Sequence, residues 1–458
     1  MSTVVASRTR LIVPFLTTGP LDDLRWGLML LPAWWLLGVE QFALPLVAVL
    51  AALKLALIGR MRLHPVIALF VLYLVVQAFS AMFIVEPERY VWFARTFLVH
   101  CSALCVLVVI VAKVTSRRQV ERLLGSITVA LAWSGVVGLL GILGLARPRF
   151  TSLASLLLPD AIAQTGYGQQ IALRQTGNSA WFSLLGEYFR VDGFFLYSTT
   201  YAAALAMAIP LVLWSIRAAP APRKLGPALA AVVLLLNLLF TTGRGAILSF
   251  AAAAAVFFVS GRHRLVQVAA AAVMTTAFAV AFIAVPQDQF VDTVSSAALA
   301  RGSGSYQSRM TIYRYTLQGI AQRPLLGWGT ERDITDIDGF PLPAGSHSGW
   351  LSVPYRHGLI GLAIYVGMLV LAWRNTAPRR SGQPWLERLK THLRWGLLAG
   401  LGVSAVTVLN IDSTTFLIFW VLIGLTCVVG SAGLTSATAP GSSLHPTTAS
   451  QPAPRGAA

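Results

Sequence analysis

Charge is what this sequence has least of. Only 11% of its 458 residues are Asp, Glu, Lys or Arg, while 56% are hydrophobic. Soluble domains carry about 25% charged residues, and a chain this poor in them cannot cover a water-facing surface. Lysine stands at just four positions, Lys54, Lys113, Lys224 and Lys390. Cysteine is scarce too, and Cys101, Cys105 and Cys427 all fall inside apolar runs. Cys101 and Cys105 lie one helical turn apart, which suits small buried residues and argues against a disulfide framework. No HExxH, Walker loop or CxxC pair is present, so the sequence asks for no metal and no cofactor. A secretory signal is missing as well. The N-terminal stretch LIVPFL is shorter than an h-region and no small-residue cleavage site follows it, so the first spanning helix is expected to serve as the insertion signal.

What the chain has instead is apolar runs near the ~20 residues that cross a bilayer. They fall near 26–38, 42–58, 65–84, 90–112, 123–145, 194–216, 225–240, 245–260, 265–285, 357–373, 393–410 and 414–431. The expected fold is therefore an all-α polytopic membrane protein of about twelve transmembrane helices. The net charge of +18 follows the same layout. With the N-terminus inside, the inner side receives 22 Lys/Arg and 4 Asp/Glu, and the outer side 13 of each. The whole excess is cytoplasmic, as the positive-inside rule requires, and both termini are expected there. The basic balance thus reports orientation and calls for no nucleic-acid partner.

The integral membrane domain is expected over 1–432, with extracytoplasmic loops at about 146–193 and 286–356. Inside the second loop, SYQSRMTIYRYTLQGIAQRP reads as an amphipathic helix stopped by Pro324, with Tyr306, Arg309, Tyr313 and Leu317 on one face. The Ser/Thr/Pro/Ala-rich 433–458 segment is too polar to build a core and is expected to be a disordered cytoplasmic tail.

Several outer residues suit anion chemistry. Arg244, in TTGRGAIL, stands where a helix begins, so its guanidinium adds to the free N–H groups and partial positive charge of a helix N-terminus. An interfacial arginine reaching to headgroups would give the same pattern, but glycines on both sides favour close approach of another group. Arg309 shares a helix face with Tyr313, Arg314 lies about 140° away, and Arg190 stands at the mouth of the sixth span with Asp192 as a neighbour. His347, with an ordinary pKa near 6.5, suits proton transfer or hydrogen bonding at neutral pH; His357 is its competitor. Gly358 and Gly361 read as a smooth face for close helix packing. The acidic run ERDITDIDG misses calcium-loop spacing and reads as a solvated loop that balances nearby arginines.

Three of these stretches together resemble the O-antigen ligase family and its O-antigen polymerase relatives. His347 and Ser348, nine residues, then Gly358 and Gly361 follow the ligase pattern at each fixed position. TTGRGAIL resembles the family's Thr/Ser-Arg-Gly element at Arg244, and SRMTIYRYTLQGIAQRPLLGWGTE resembles the stretch ending Pro-Leu-Leu-Gly-x-Gly, with Arg309 at the recurring arginine. The resemblance covers about 190–372. One departure is LYSTT after RVDGFF, where relatives often carry Pro-Asn, which weakens the transfer of a role to Arg190.

The resemblance implies a GT-C-like, metal-independent inverting glycosyltransferase of the bacterial cytoplasmic membrane, active at its outer face. The donor would be a glycan on undecaprenyl pyrophosphate. The acceptor would be a lipid A–core sugar in a ligase or another lipid-linked glycan in a polymerase. His347, Arg244 and Arg309 are the implied catalytic residues, His347 as base or as positioning group. Arg314, Arg190, Tyr313 and Ser348 are candidate substrate contacts, with Gly358 and Gly361 structural. A polysaccharide or lipid transporter is the alternative from another class, and a polar path at mid-span is what would favour it.

Overall fold

The computed structural model describes residues 18–58, 62–164, 166–182, 186–259, 304–335, 341–377 and 383–431. The first described elements are α1 (Pro20–Met29), α2 (Leu31–Leu37), α3 (Glu40–Ile58), α4 (Pro65–Ser80), α5 (Arg89–Lys113) and α6 (Arg117–Ile142). A first loop region carries β1 (Arg149–Thr151), the short helices α7 (Asp160–Ala163) and α8 (Gly166–Ala172), then β2 (Leu173–Gln175), β3 (Gly177–Phe182) and β4 (Gly186–Val191). Next come α9 (Ser198–Ala218), α10 (Leu225–Phe240) and α11 (Arg244–Val259). After α12 (Gly304–Gln322), β5 (Arg332–Thr335) and β6 (Pro341–Ala344), the last described elements are α13 (Gly349–Asn375), α14 (Pro384–Ser404) and α15 (Ser413–Gly430).

Two helices form the centre. Every residue of α15 except its last is buried, and α9 is buried from Tyr201 through Val212. A helix apolar on all sides must be enclosed by others. In α9 the run YAAALAMAIP keeps side chains small, so α14 packs close against it. The Cβ that Gly396 of α14 lacks would stand 2.8 Å from the Met207 carbonyl oxygen, and that of Gly400 3.0 Å from the Met207 sulfur. Lipid supplies no hydrophobic drive between helices, so such tight seams are where the bundle gains its dispersion energy.

Among the described residues eight helices are long and apolar enough to cross a membrane: α3, α4, α5, α6, α9, α10, α13 and α15. The other expected spans differ in instructive ways. The one at 26–38 is a broken pair, α1 and α2, interrupted at Leu30 where Pro32 starts the second helix, and ended by Gly38 at φ 81°. The one at 393–410 stops at Ser404, and residues 405–408 form a turn before the next helix. Its charged first half, with Glu387, Arg388 and Lys390, begins nine residues earlier than expected. The span at 245–260 is seen as α11, one residue earlier, and the one expected at 265–285 lies outside the described residues, as does the 433–458 tail.

The helical expectation holds, and the loops add short strands to it. Among the described residues the loops hold three antiparallel hairpins, β1–β2, β3–β4 and β5–β6. Short loop segments satisfy their backbone groups by pairing, because the loop backbone has no helix to do so. All three hairpins gather at one end of the bundle. There Arg95 donates to the Ile411 carbonyl at 2.5 Å and Arg190 to the Thr241 carbonyl at 3.0 Å. At the opposite end Arg117 donates to the Ala218 carbonyl at 3.1 Å and Arg394 to the Thr376 hydroxyl at 3.0 Å. That second end carries the basic loops.

Candidate functional site

Backbone strain marks the site. Among the described residues, two that are not glycine adopt a left-handed φ: Thr242 at 49° and His347 at 64°. Such conformations cost of order 1–3 kcal/mol and persist only where surrounding structure enforces them. For a β-branched threonine this is a true outlier. One residue lies in the TTGR turn and the other in the HSG stretch, two of the places where the sequence suggested chemistry.

The TTGR turn is built by its own hydroxyl. Thr241 Oγ1 donates to the Leu238 carbonyl at 2.7 Å and accepts from the Gly243 N–H at 3.2 Å. The Arg244 N–H returns to the Thr242 carbonyl at 2.8 Å, so Arg244 starts α11 with its side chain exposed. Gly243 is close against Ala202, since a Cβ there would come within 2.7 Å of the alanine methyl. A Cβ on Gly245 would collide with Val406. The same α14–α15 turn meets the other strained segment, where a Cβ on Gly349 would lie 3.2 Å from the Ser404 carbonyl and 3.5 Å from that of Thr407. One turn, 404–407, is thus shared by the Arg244 and Ser348 helix starts.

His347 is held from both sides. Its carbonyl accepts from the Tyr313 hydroxyl at 3.2 Å, and the Gly345 N–H donates to Thr316 Oγ1 at 2.8 Å, so α12 buttresses the segment. Its Nδ1 lies 2.6 Å from Ser346 Oγ, which donates its own proton to the Pro343 carbonyl at 2.5 Å. With that proton spent, the serine oxygen is left to accept, and Nδ1 must carry the ring hydrogen. Nε2 is then the lone-pair nitrogen, the form a proton acceptor needs. Burial pushes the His347 pKa below its ordinary value, the Arg309 charge pushes the same way, and Glu331 opposes them. The ring is therefore neutral at pH 7.

Arg309 stands one turn before Tyr313 on α12, half-buried, and its charge acts on both His347 and Tyr313. The buried stripe of α12 is Ile312, Thr316 and Gly319, and the expected Tyr–Arg face lies beside it, with Leu317 exposed. Arg314 is exposed and is not brought to His347. Ser348 is buried as the N-cap of α13, accepting from the Leu351 N–H at 3.4 Å; its hydroxyl is turned to the helix. Arg190 reaches the Thr241 carbonyl and so braces the Arg244 turn from β4. It also lines a polar cavity of about 150 Å³ with Arg174, Asn178 and Asp192. Burial pushes the Asp192 carboxyl up to about 6, against the Arg190 charge and its bonds to Ser198.

The reading of Gly358 as part of a smooth packing face is corrected. Gly358 adopts φ 67° and ψ −176° and kinks α13 in two. A Cβ there would run into the Leu325 carbonyl and the Leu326 nitrogen, both backbone. The kink lets Leu359 N–H donate to the Pro324 carbonyl at 2.7 Å, while Trp328 and Gly329 N–H donate to the Tyr355 and Arg356 carbonyls at 2.9 and 2.8 Å. Gly361 does serve packing: a Cβ there would come 2.6 Å from His357 Cβ and 3.8 Å from Tyr73. Helix α13 also begins eight residues before the expected span, so His357 is not a loop histidine. It is buried, with Nδ1 3.0 Å from Ser80 Oγ.

Sequence reasoning missed the clamp behind the site. Buried Arg356 pairs with Glu331 at 2.7 Å and donates to the Gly345 carbonyl at 3.2 Å. Arg89 pairs with Asp333 and donates to the Glu331 carbonyl at 2.8 Å. Arg323 and Arg332 flank Trp328, at 3.9 and 4.3 Å from its ring centre. The balance of acids by nearby arginines was expected; the available signal for the partners was an arginine inside the apolar run VPYRHGLIG. Asp336 and Asp338 lie outside the described residues. The buried pair of Arg174 and Glu40, at 2.9 Å, had no sequence signal at all. The polar cavity among Tyr73, His100 and His357 holds only about 40 Å³, room for a water and not for a glycan path.

Residues 229–366, a stretch that holds the TTGR turn, α12, the strained histidine and both glycines, match the family model described as O-antigen ligase. Comparison with curated proteins gives no match.

Proposed function

We propose that this member of the O-antigen ligase family is an inverting glycosyltransferase. It moves a glycan from undecaprenyl pyrophosphate to an acceptor hydroxyl at the outer face of the bacterial cytoplasmic membrane. The observation that carries the reading is the pair of strained residues, Thr242 and His347, at the two motif turns that share the 404–407 segment.

The chemistry follows from what those turns hold. The acceptor oxygen attacks the anomeric carbon, the bond from that carbon to the phosphate oxygen breaks on the opposite face, and configuration inverts. His347 Nε2 takes the acceptor's proton or orients the hydroxyl as it attacks. Charge gathers on the departing pyrophosphate, and the Arg244 guanidinium at the α11 N-terminus and Arg309 on α12 are disposed to neutralise it without a metal. Arg190 serves by bracing the Arg244 turn. Tyr313 acts through the His347 carbonyl, and Ser348 by fixing the helix start. The polyprenyl chain remains in lipid, which is why such a site belongs on a membrane scaffold of about twelve spans, GT-C-like in plan, with both termini in the cytoplasm. The basic end of the bundle faces inward and the site outward.

Polymerase and ligase share this chemistry and differ in the acceptor. The test is transfer by the purified protein from defined lipid-pyrophosphate glycans to lipid A–core or to a second lipid-linked glycan. Transfer that survives a chelator and is lost in Arg244→Ala and His347→Ala supports the mechanism. Full activity in both variants overturns it, and the acceptor that is used decides between ligase and polymerase.

A further inference from the structure

A large cavity lies far from this site, at the basic end of the bundle. It is a groove of about 910 Å³ between α6, α9 and α10, with Arg117, Arg118 and Arg223 at its rim. Against these stands one carboxylate, Glu121, which Arg117 already holds at 2.7 Å. Among the described residues Arg118 and Arg223 make no ion pair, and both are exposed. A second cavity of about 320 Å³ shares Arg117 and Trp385 with the groove and adds Arg217 and Arg388. The depth of the groove is apolar, walled by Val129, Ala132, Trp214 and Ala230. On the outer flanks of α6 and α10, Trp133 is 56% and Leu229 57% exposed, as lipid-facing side chains are.

Two glycines make the space. Gly125 on α6 and Gly226 on α10 both line the groove, and a Cβ on either would meet nothing within 4 Å. Neither position is needed for close helix packing, in contrast to Gly396 or Gly400. Unneutralised guanidiniums at the headgroup level above apolar walls fit one kind of molecule, a diacyl lipid with an anionic headgroup.

We infer that this groove binds an anionic phospholipid, its phosphate on Arg118 and Arg223 and its acyl chains along Val129 and Ala230. The site is separate from the glycan chemistry and stands or falls without it. Guanidiniums grip the phosphate by paired hydrogen bonds, so lysine substitutes poorly at these positions.

The experiment is native mass spectrometry of the full chain released from nanodiscs of phosphatidylcholine containing phosphatidylglycerol. One retained phosphatidylglycerol per chain is expected, with a raised thermal midpoint relative to pure phosphatidylcholine. Arg118→Gln with Arg223→Gln is expected to weaken retention about 30-fold. Gly125→Phe, whose Cβ would meet nothing within 4 Å and whose ring would occupy the groove, is expected to abolish retention while leaving the midpoint in pure phosphatidylcholine unchanged. Equal retention of the two lipids, or phosphatidylglycerol still held by Gly125→Phe, overturns the inference. So does displacement of the diacyl lipid by undecaprenyl phosphate, which would make the groove a polyprenyl channel.

Discussion

Replacing Gly358 by alanine tests whether the histidine motif is a packing face or a hinge. At φ 67° and ψ −176° an L-residue pays of order 1–3 kcal/mol for the backbone alone. The new methyl would also meet the Leu325 carbonyl and the Leu326 nitrogen, and backbone of this kind cannot swing aside as a side chain does. Relief requires the 324–329 segment to withdraw. That gives up as many as three backbone hydrogen bonds, from Leu359, Trp328 and Gly329, at about 1 kcal/mol each. The expected loss is therefore about 3–5 kcal/mol, at the upper end of single substitutions. Gly367, on the same helix, supplies the control. A Cβ there meets only Leu69 Cδ1 at 3.4 Å, so Gly367→Ala is expected to be neutral or to stabilise by up to about 1 kcal/mol through helix propensity. Thermal unfolding of the two variants in one detergent, beside glycan transfer, makes the comparison. The reasoning is refuted if Gly358→Ala melts with Gly367→Ala and transfers glycan at the parent rate.

Three further outcomes follow from the same geometry. The acid limb of the pH–rate profile is expected below pH 6.5, and Arg309→Gln is expected to move it upward, because a cation that holds the His347 pKa down has been removed; a limb that stays put would show that His347 is not the titrating group. Ser346→Ala frees the His347 tautomer and is expected to cost about tenfold in kcat with KM unchanged, whereas a raised KM with kcat unchanged would point to a binding role. For Asp192, whose carboxyl stands near 6 in the folded chain against an ordinary 3.8, stability is full below the lower value and is lost as pH rises through the upper one; Asp192→Asn is expected to flatten that dependence and to recover up to about 3 kcal/mol at pH 7.5, read from melts at pH 4, 6 and 7.5.

The parts legible in the sequence were those written in local spacing. Apolar runs found α3, α4, α5, α6, α9, α10 and α15, and periodicity with Pro324 found α12 to within two residues of its ends. The pairing of His347 with Tyr313 and the shared turn at 404–407 were not legible, because contacts across 34 and 55 residues leave no local pattern. Gly358 was misread for a different reason. A Gly-x-x-Gly spacing is the same string whether the first glycine gives a smooth surface or a left-handed kink, and only φ separates the two. The broken first span has a similar lesson, since Pro32 at a second helix position and Pro45 within α3 are the same residue with opposite consequences.

Strain explains why the two candidate motifs carry so many small and hydroxyl residues. Thr242 and His347 each occupy a conformation that costs energy, so each must be enforced from outside. Around Thr242 the enforcement comes from the Thr241 hydroxyl, from Arg190, and from two glycines that let α9 and the 404–407 turn press close. Around His347 it comes from Tyr313, from Thr316 through Gly345, and from the Ser348 cap. None of these groups needs to touch a substrate to matter. Under the proposed mechanism, relaxing any one would let the turn return to an ordinary conformation and shift the Arg244 guanidinium or His347 Nε2 away from where the transfer needs it. Substitutions at Thr241, Gly243, Thr316 and Gly345 should therefore behave as site mutations despite their distance from the reacting atoms, with transfer falling more steeply than thermal stability.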